Sequence, residues 1–172
     1  MTFVILLILA IGLYFYIAGR PDTFRLERSI LVNAPPEKIF SKVNDFHSWT
    51  DWSPWEKMDL NMKKTYSGKA LGKGSTYAWE GSGKVGVGNM EITESVASSK
   101  IVLDLNFLRP FRAQNVTELT FTAKDGGTEV VWVMSGSLNF LMKTMHVFMN
   151  MDKAVGGDFE RGLVNLKELA EK

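Results

Sequence analysis

The 172-residue chain carries 20 Lys and Arg against 19 Asp and Glu, a formal charge of +1, and so presents no broad field for nucleic acid or an acidic polymer. It contains no cysteine, which excludes disulfides, thiolate nucleophiles and sulfur-ligated zinc. Beyond an apolar leader, the remainder has the size of one domain with one core.

The leader Phe3 to Ala18 is uncharged and, with Met1, Thr2 and Gly19, reads as a membrane-spanning helix over 1–19. No basic residue precedes it, and Ala18-Gly19-Arg20 is a poor cleavage site, so an uncleaved anchor fits better than a secretory signal. Tyr14 and Tyr16 suit the interface, and Arg20, Arg25 and Arg28 follow on one side only. That asymmetry predicts a single-pass membrane protein with its domain in the cytoplasm. Residues 20–23 form a short linker broken by Pro21, and 24–172 form the domain.

Phe24, Leu26, Ile30 and Val32 alternate with polar residues and predict a first strand, with Arg28 and Leu31 out of pattern. Pro36 opens a helix reaching about Asn44. Three of the five tryptophans, Trp49, Trp52 and Trp55, then fall within seven positions. Trp49 and Trp52 share a helix face before Pro54 interrupts. Six strands follow, over 62–66, 75–80, 85–96, 100–107, 113–123 and 129–137, separated by Gly-rich or charged turns. Val155, Phe159, Leu163, Leu166 and Ala170 stand at helical spacing and predict a long amphipathic C-terminal helix lying on the apolar sheet face. Strands gathered before a closing helix define an α+β fold rather than a parallel doubly wound sheet.

Reaction chemistry is sparse. No Gly-x-Ser-x-Gly elbow exists, and His47 and His146 are isolated, so neither a hydrolase triad nor a metal site is built; each histidine reads as a surface or interface residue. Gly81-Ser82-Gly83-Lys84-Val85-Gly86 matches a dinucleotide fingerprint but opens a strand, and so reads as a hairpin. Asn115-Val116-Thr117 matches a glycosylation acceptor, but its setting in a strand points to coincidence. Glu91 and Glu94 lie in one strand on opposite faces, so only one of them can point inward, where burial would suit it to acid–base work. Phe140 to Met151 carries four methionines, an adaptable stretch suited to a core edge or to a gate over a cavity.

Several segments together resemble bacterial members of the START-like, polyketide cyclase/dehydrase (SRPBCC) superfamily. They are Trp49-x-x-Trp52-Ser53-Pro54-Trp55, Tyr77-x-Trp79-Glu80-Gly81, Gly88 to Ser95, Pro110-Phe111, and Gly157-Asp158-Phe159-Glu160-x-Gly162-Leu163-x-Asn165-Leu166. The resemblance implies a helix-grip fold, with a seven-stranded antiparallel sheet wrapped around the C-terminal helix and an apolar cavity between them. It also implies Trp49, Trp52, Trp55, Trp79, Glu91, Trp132, Met134 and Phe159 as cavity-lining residues. Asp59-Leu60-Asn61 departs from the pattern, since relatives tend to carry proline after the aspartate.

The expected function is that of a membrane-tethered carrier for a hydrophobic small molecule or lipid, needing no cofactor, metal or nucleic acid. A cyclase or dehydratase using Glu91 as acid or base, and a filled-cavity interaction module at the membrane, are the alternatives. No particular protein partner follows from the sequence.

Overall fold

The computed structural model describes residues 2–83 and 85–172, so Met1 of the expected anchor and Lys84 of the Gly-rich hairpin lie outside the described residues. The elements in chain order are α1 (Thr2–Ala18), β1 (Thr23–Val32), α2 (Pro36–Val43), α3 (Trp49–Trp52), β2 (Lys63–Gly68), β3 (Ser75–Glu80), β4 (Val87–Val96), β5 (Lys100–Arg109), β6 (Ala113–Lys124), β7 (Gly127–Ser137), α4 (Phe140–Phe148) and α5 (Met151–Ala170). Short 3-10 turns at Phe46–Ser48 and Pro54–Lys57 flank α3.

All seven strands join one antiparallel sheet in the order β1-β7-β6-β5-β4-β3-β2. Strands β2 to β7 form a meander, and β1 adds beside β7, so the segment from β1 to β2 must cross the open side of the curled sheet. That segment carries α2 and α3, and α5 lies in the same concavity. The expected α+β helix-grip architecture is therefore present.

β1 alternates between faces along its whole length. Arg28 and Leu31 obey the period and only their chemistry departs from it. Arg28 points to the helix side, where its Nε meets Glu160 at 2.7 Å and its guanidinium meets Asp152 at 3.0 Å, so two carboxylates of α5 replace the apolar partner expected there. Leu31 faces outward.

The core has two halves. Under α2 and the C-terminal part of α5, Val32, Ile39, Val43, Ile92, Ile101, Leu119, Val130, Leu163 and Leu166 are fully enclosed. Phe40 meets Phe121 edge-on there. Asn165 donates to the Trp52 carbonyl at 2.9 Å and Lys167 to the Leu31 carbonyl at 2.8 Å, fixing the helix to both neighbours. The other half, beside the N-terminal part of α5, is hollow.

The leader is helical but shorter than the expected span. Seventeen residues of α1 rise about 25 Å against a hydrocarbon core of about 30 Å, and among the described residues no helix is long and apolar enough to cross a membrane. Its foot is attached to the domain. Ile17 is buried, Tyr14 and Phe140 of α4 lie 5.3 Å apart, and the buried ammonium of Lys143 pairs with Asp22 and donates to the Ala18 carbonyl at 3.2 Å.

Candidate ligand-binding cavity

A cavity of about 500 Å³ occupies the hollow half, within the range of roughly 300–1,000 Å³ typical of small-molecule sites. Its walls come from alternate positions of successive strands, because a period of two places every second side chain on the concave face. β3 contributes Tyr77 and Trp79, β5 Leu103 and Leu105, β7 Trp132 and Met134. Trp49 and Trp55 enter from the segment crossing the open side, and Phe159 from α5.

Aromatic contacts hold this wall in place. Trp132 stacks on Phe159 at 4.1 Å between centroids, and Trp55 meets both rings edge-on at 5.9 and 6.0 Å. Trp79 stacks on Tyr77 at 5.8 Å and donates its indole N–H to the Val85 carbonyl at 3.1 Å. Gly88 on β4 permits that position, since a Cβ there would come within 2.7 Å of the Trp79 ring. Trp49 and Trp52 likewise donate to backbone carbonyls, of Val43 at 2.9 Å and Lys42 at 3.3 Å.

Two of the expected lining residues stand elsewhere. Trp52 is completely buried behind the wall, wedged against Trp49 and Trp132, and supports the site without bordering it. Glu91 faces solvent on the convex side of the sheet. Met90 and Ile92 take the inward positions, and between the two register shifts of β4 against β5, before Gly88 and after Ile92, the strand alternates regularly and leaves Glu91 outward. Glu94 is no substitute: it lies 2.7 Å from Lys100 as a half-exposed ion pair. Acid–base chemistry in the cavity by Glu91 therefore has no geometric basis.

Three carboxylates border the cavity, Asp152 and Asp158 of α5 and Glu56 on the turn that Pro54 opens, and of these Glu56 is the buried one. It is 7% exposed, accepts the Tyr77 hydroxyl at 2.5 Å, and pairs with Lys64 of β2. Burial, followed by the hydrogen bond to Glu56, drives the Tyr77 phenol far above its ordinary range, so this hydroxyl keeps its proton throughout the physiological range. Pattern reading passed over Glu56 because its neighbours Trp55, Lys57 and Met58 show no period; only the folded turn brings it to β3. Asn115 and Thr117 were legible as alternating positions on β6, and both face the cavity, which also removes Asn115 from glycosylation by burial. The Thr117 hydroxyl and the Trp132 indole N–H, both buried, lack a hydrogen-bond partner among the described residues.

The two histidines separate. His47 stacks on Tyr66 at 4.2 Å outside the cavity and lies 3.0 Å from Asp45. His146 of α4 borders the cavity, 5.7 Å from the Phe24 ring. Among the described residues no cluster of metal-ligating side chains occurs. Gly81 to Gly83, Val85 and Gly86 lie between β3 and β4, with the Ser82 backbone N–H and hydroxyl donating to Asp59 at 2.7 and 2.9 Å; among the described residues no helix starts there. Asp59 also accepts from the Asn61 N–H at 3.0 Å, so side-chain hydrogen bonds hold the loop where relatives tend to use proline.

A seven-stranded antiparallel sheet gripping its C-terminal helix around an aromatic-walled cavity defines the class of helix-grip folds. Residues 23–171 match the family described as polyketide cyclase / dehydrase and lipid transport, and the chain belongs to that family. No curated protein matches it. Among solved structures it is similar to protein CV1439 from Chromobacterium violaceum, with 17% identity and a TM-score of 0.62 over 89% of this chain and 99% of that one. It is also similar to the di-domain ARO/CYC BexL from the BE-7585A biosynthetic pathway, with 14% identity and a TM-score of 0.67, covering 91% of this chain and 52% of that chain. The Aha1 dimer from Colwellia psychrerythraea shares 17% identity with a TM-score of 0.59, over 86% of this chain and 96% of that one. Likeness at these identities establishes the fold.

Proposed function

We propose that this protein is a membrane-tethered binding or carrier module for a hydrophobic small molecule or lipid. The observation that carries the reading is the cavity itself. Its wall is predominantly aromatic and aliphatic, and its buried carboxylate, Glu56, is engaged by Tyr77 and Lys64. Apolar burial is worth about 25 cal/mol per Å², and a preformed wall spares the ligand the cost of ordering it.

The tether is α1. Its side chains are uncharged and exposed along nearly the whole helix. Helices of about 17 residues stand at the lower limit for spanning, a shortfall that local bilayer thinning accommodates at modest cost. Arg20 lies 5.3 Å over the Tyr16 ring, an aromatic and a cation at the helix foot as at a headgroup boundary. Arg20, Arg25 and Arg28 on that side support a cytoplasmic domain in a bacterial inner membrane.

Lipid extraction and native mass spectrometry of the full chain purified from membranes test the carrier reading. An apolar molecule should accompany the protein in near-stoichiometric amount and be displaced in Leu105→Trp, which fills the cavity. An empty wild-type protein with a collapsed interior sinks the proposal. Resistance of the chain to alkaline extraction from membranes tests the tether.

A further inference from the structure

The cavity mouth is bordered on one side by the β5–β6 tip, with Arg109, Pro110 and Phe111, and on the other by α4, with Met142, Met145 and His146. Both borders carry bulky apolar side chains directed to solvent: Leu108 and Phe111 on the tip, Phe140, Leu141 and Phe148 on α4, with Met149 just beyond it. Phe148 is 67% exposed and Phe111 47%, values that a soluble surface of scattered residues does not need at one opening.

We infer that this rim docks into the lipid surface, so that the cavity opens against the bilayer rather than into water. The inference rests on the tethered reading of the protein and adds an orientation to it. Three observations favour lipid as the occupant. The apolar helix α1 joins the rim directly, through Tyr14 against Phe140 and through the Lys143 bonds to Ala18 and Asp22, so the patch continues the exposed apolar surface of the leader. Arg109 and Arg112 bracket Phe111, and among the described residues neither joins an ion pair, which suits them to anionic headgroups while the ring enters the acyl boundary. The acids that border the cavity are ion-paired, Asp152 with Arg28, which also binds Glu160, and Asp158 with Arg161. Hydrophobic molecules partitioned in the bilayer then reach the cavity without crossing water, where each exposed methylene costs about 0.8 kcal/mol.

The absence of cysteine makes the test direct. Single variants Phe111→Cys, Phe148→Cys and Glu91→Cys of the full chain are labelled with an environment-sensitive fluorophore and reconstituted into phosphatidylcholine vesicles containing phosphatidylserine and spin-labelled lipid. Labels at 111 and 148 should show blue-shifted emission and strong quenching by the spin-labelled lipid, while the label at 91, on the convex face, shows neither. Labels at 111 and 148 that behave like the one at 91, on a chain that stays with the vesicles through an alkaline wash, overturn the docked rim and leave the tether intact. Shielding from aqueous iodide without quenching by lipid assigns the rim to a protein surface and overturns it too. Loss of the chain from the vesicles in the wash defeats the tether reading and the rim with it. Leu108→Cys and Met149→Cys repeat the measurement should either first variant fail to fold.

Discussion

Trp132 of β7 and Phe159 of α5 lie face to face, 4.1 Å between centroids and 18° between planes, and this stack is the joint between the sheet and the helix that grips it. Both rings border the cavity, so one contact closes the structure and shapes the site. Phe159→Ala should lower stability by about 3–5 kcal/mol, the range for removing a buried aromatic side chain, and should enlarge the cavity. Denaturant unfolding of the detergent-solubilised chain measures the loss, and a change under 1 kcal/mol would show that the helix is held elsewhere.

Gly162, one turn further along α5, keeps that joint closed. A Cβ there would stand 2.9 Å from Cζ3 of Trp132 and 3.2 Å from Cδ of Pro54. Alanine brings up to about 1 kcal/mol of helix propensity, whereas overpacking a rigid indole and a proline ring costs about 1–3 kcal/mol. Gly162→Ala should therefore be net destabilising and should perturb tryptophan emission. Stabilisation would mean that Trp132 yields freely.

Tyr77→Phe preserves the ring stacked between Tyr66 and Trp79 and removes only the donor to Glu56. The buried carboxylate then loses a charge-assisted bond, at a cost of about 1.5–3 kcal/mol. Tyr77→Phe should cost less in a Glu56→Gln background, where no charged acceptor faces the hydroxyl; an equal cost in both backgrounds would contradict the assignment.

His146 links the cavity border to pH. Burial pushes its imidazole below the ordinary value of 6.5, so between its folded value and about 6.5 the unfolded chain binds more protons. Its contribution to stability is complete above about 6.5 and is lost as pH falls through the folded value. The denaturation midpoint should therefore fall on acidification from pH about 7 to about 5. His146→Phe should flatten that slope, and an unchanged slope would assign it to other groups.

Glu91 sits opposite Asp104 on the solvent face, two like charges in directly paired positions. Glu91→Gln should leave ligand content unchanged and raise stability by a few tenths of a kcal/mol, since such pairs are mildly destabilising. Loss of bound ligand in this variant would return the residue to the site against its observed placement.

Much of this architecture was legible along the chain. The strand periods of β1, β5 and β6, the break at Pro54, and the stripe of Phe159, Leu163, Leu166 and Ala170 all express side-chain repeats that local backbone geometry imposes, and the structure repeats them within a few residues. The Trp cluster pointed to an aromatic wall only through the family resemblance, since the residues alone suit an ordinary core equally well. The stretch from Phe140 to Met151 was ambiguous because methionine-rich composition suits several backbones; its first nine residues form α4, capped by the Asn139 side chain accepting the Met142 N–H at 2.9 Å, and Met151 opens α5.

Other features depended on residues distant in sequence. Alternation assigns Glu91 and Met90 to opposite faces, but which face is concave follows from the curl of the whole sheet and the side on which α5 lies. Glu56 meets Tyr77 across 21 residues and Arg28 meets Glu160 across 132, pairings that no local period encodes. Chain order and residue pattern thus determined an apolar leader, seven strands and a closing helix. Tertiary packing alone decided that the hollow lies beside the N-terminal part of α5, that Trp52 stands behind its wall, and that the rim adjoins the leader. Local repeats depend on the geometry of adjacent residues, whereas a cavity is the volume left when distant surfaces meet.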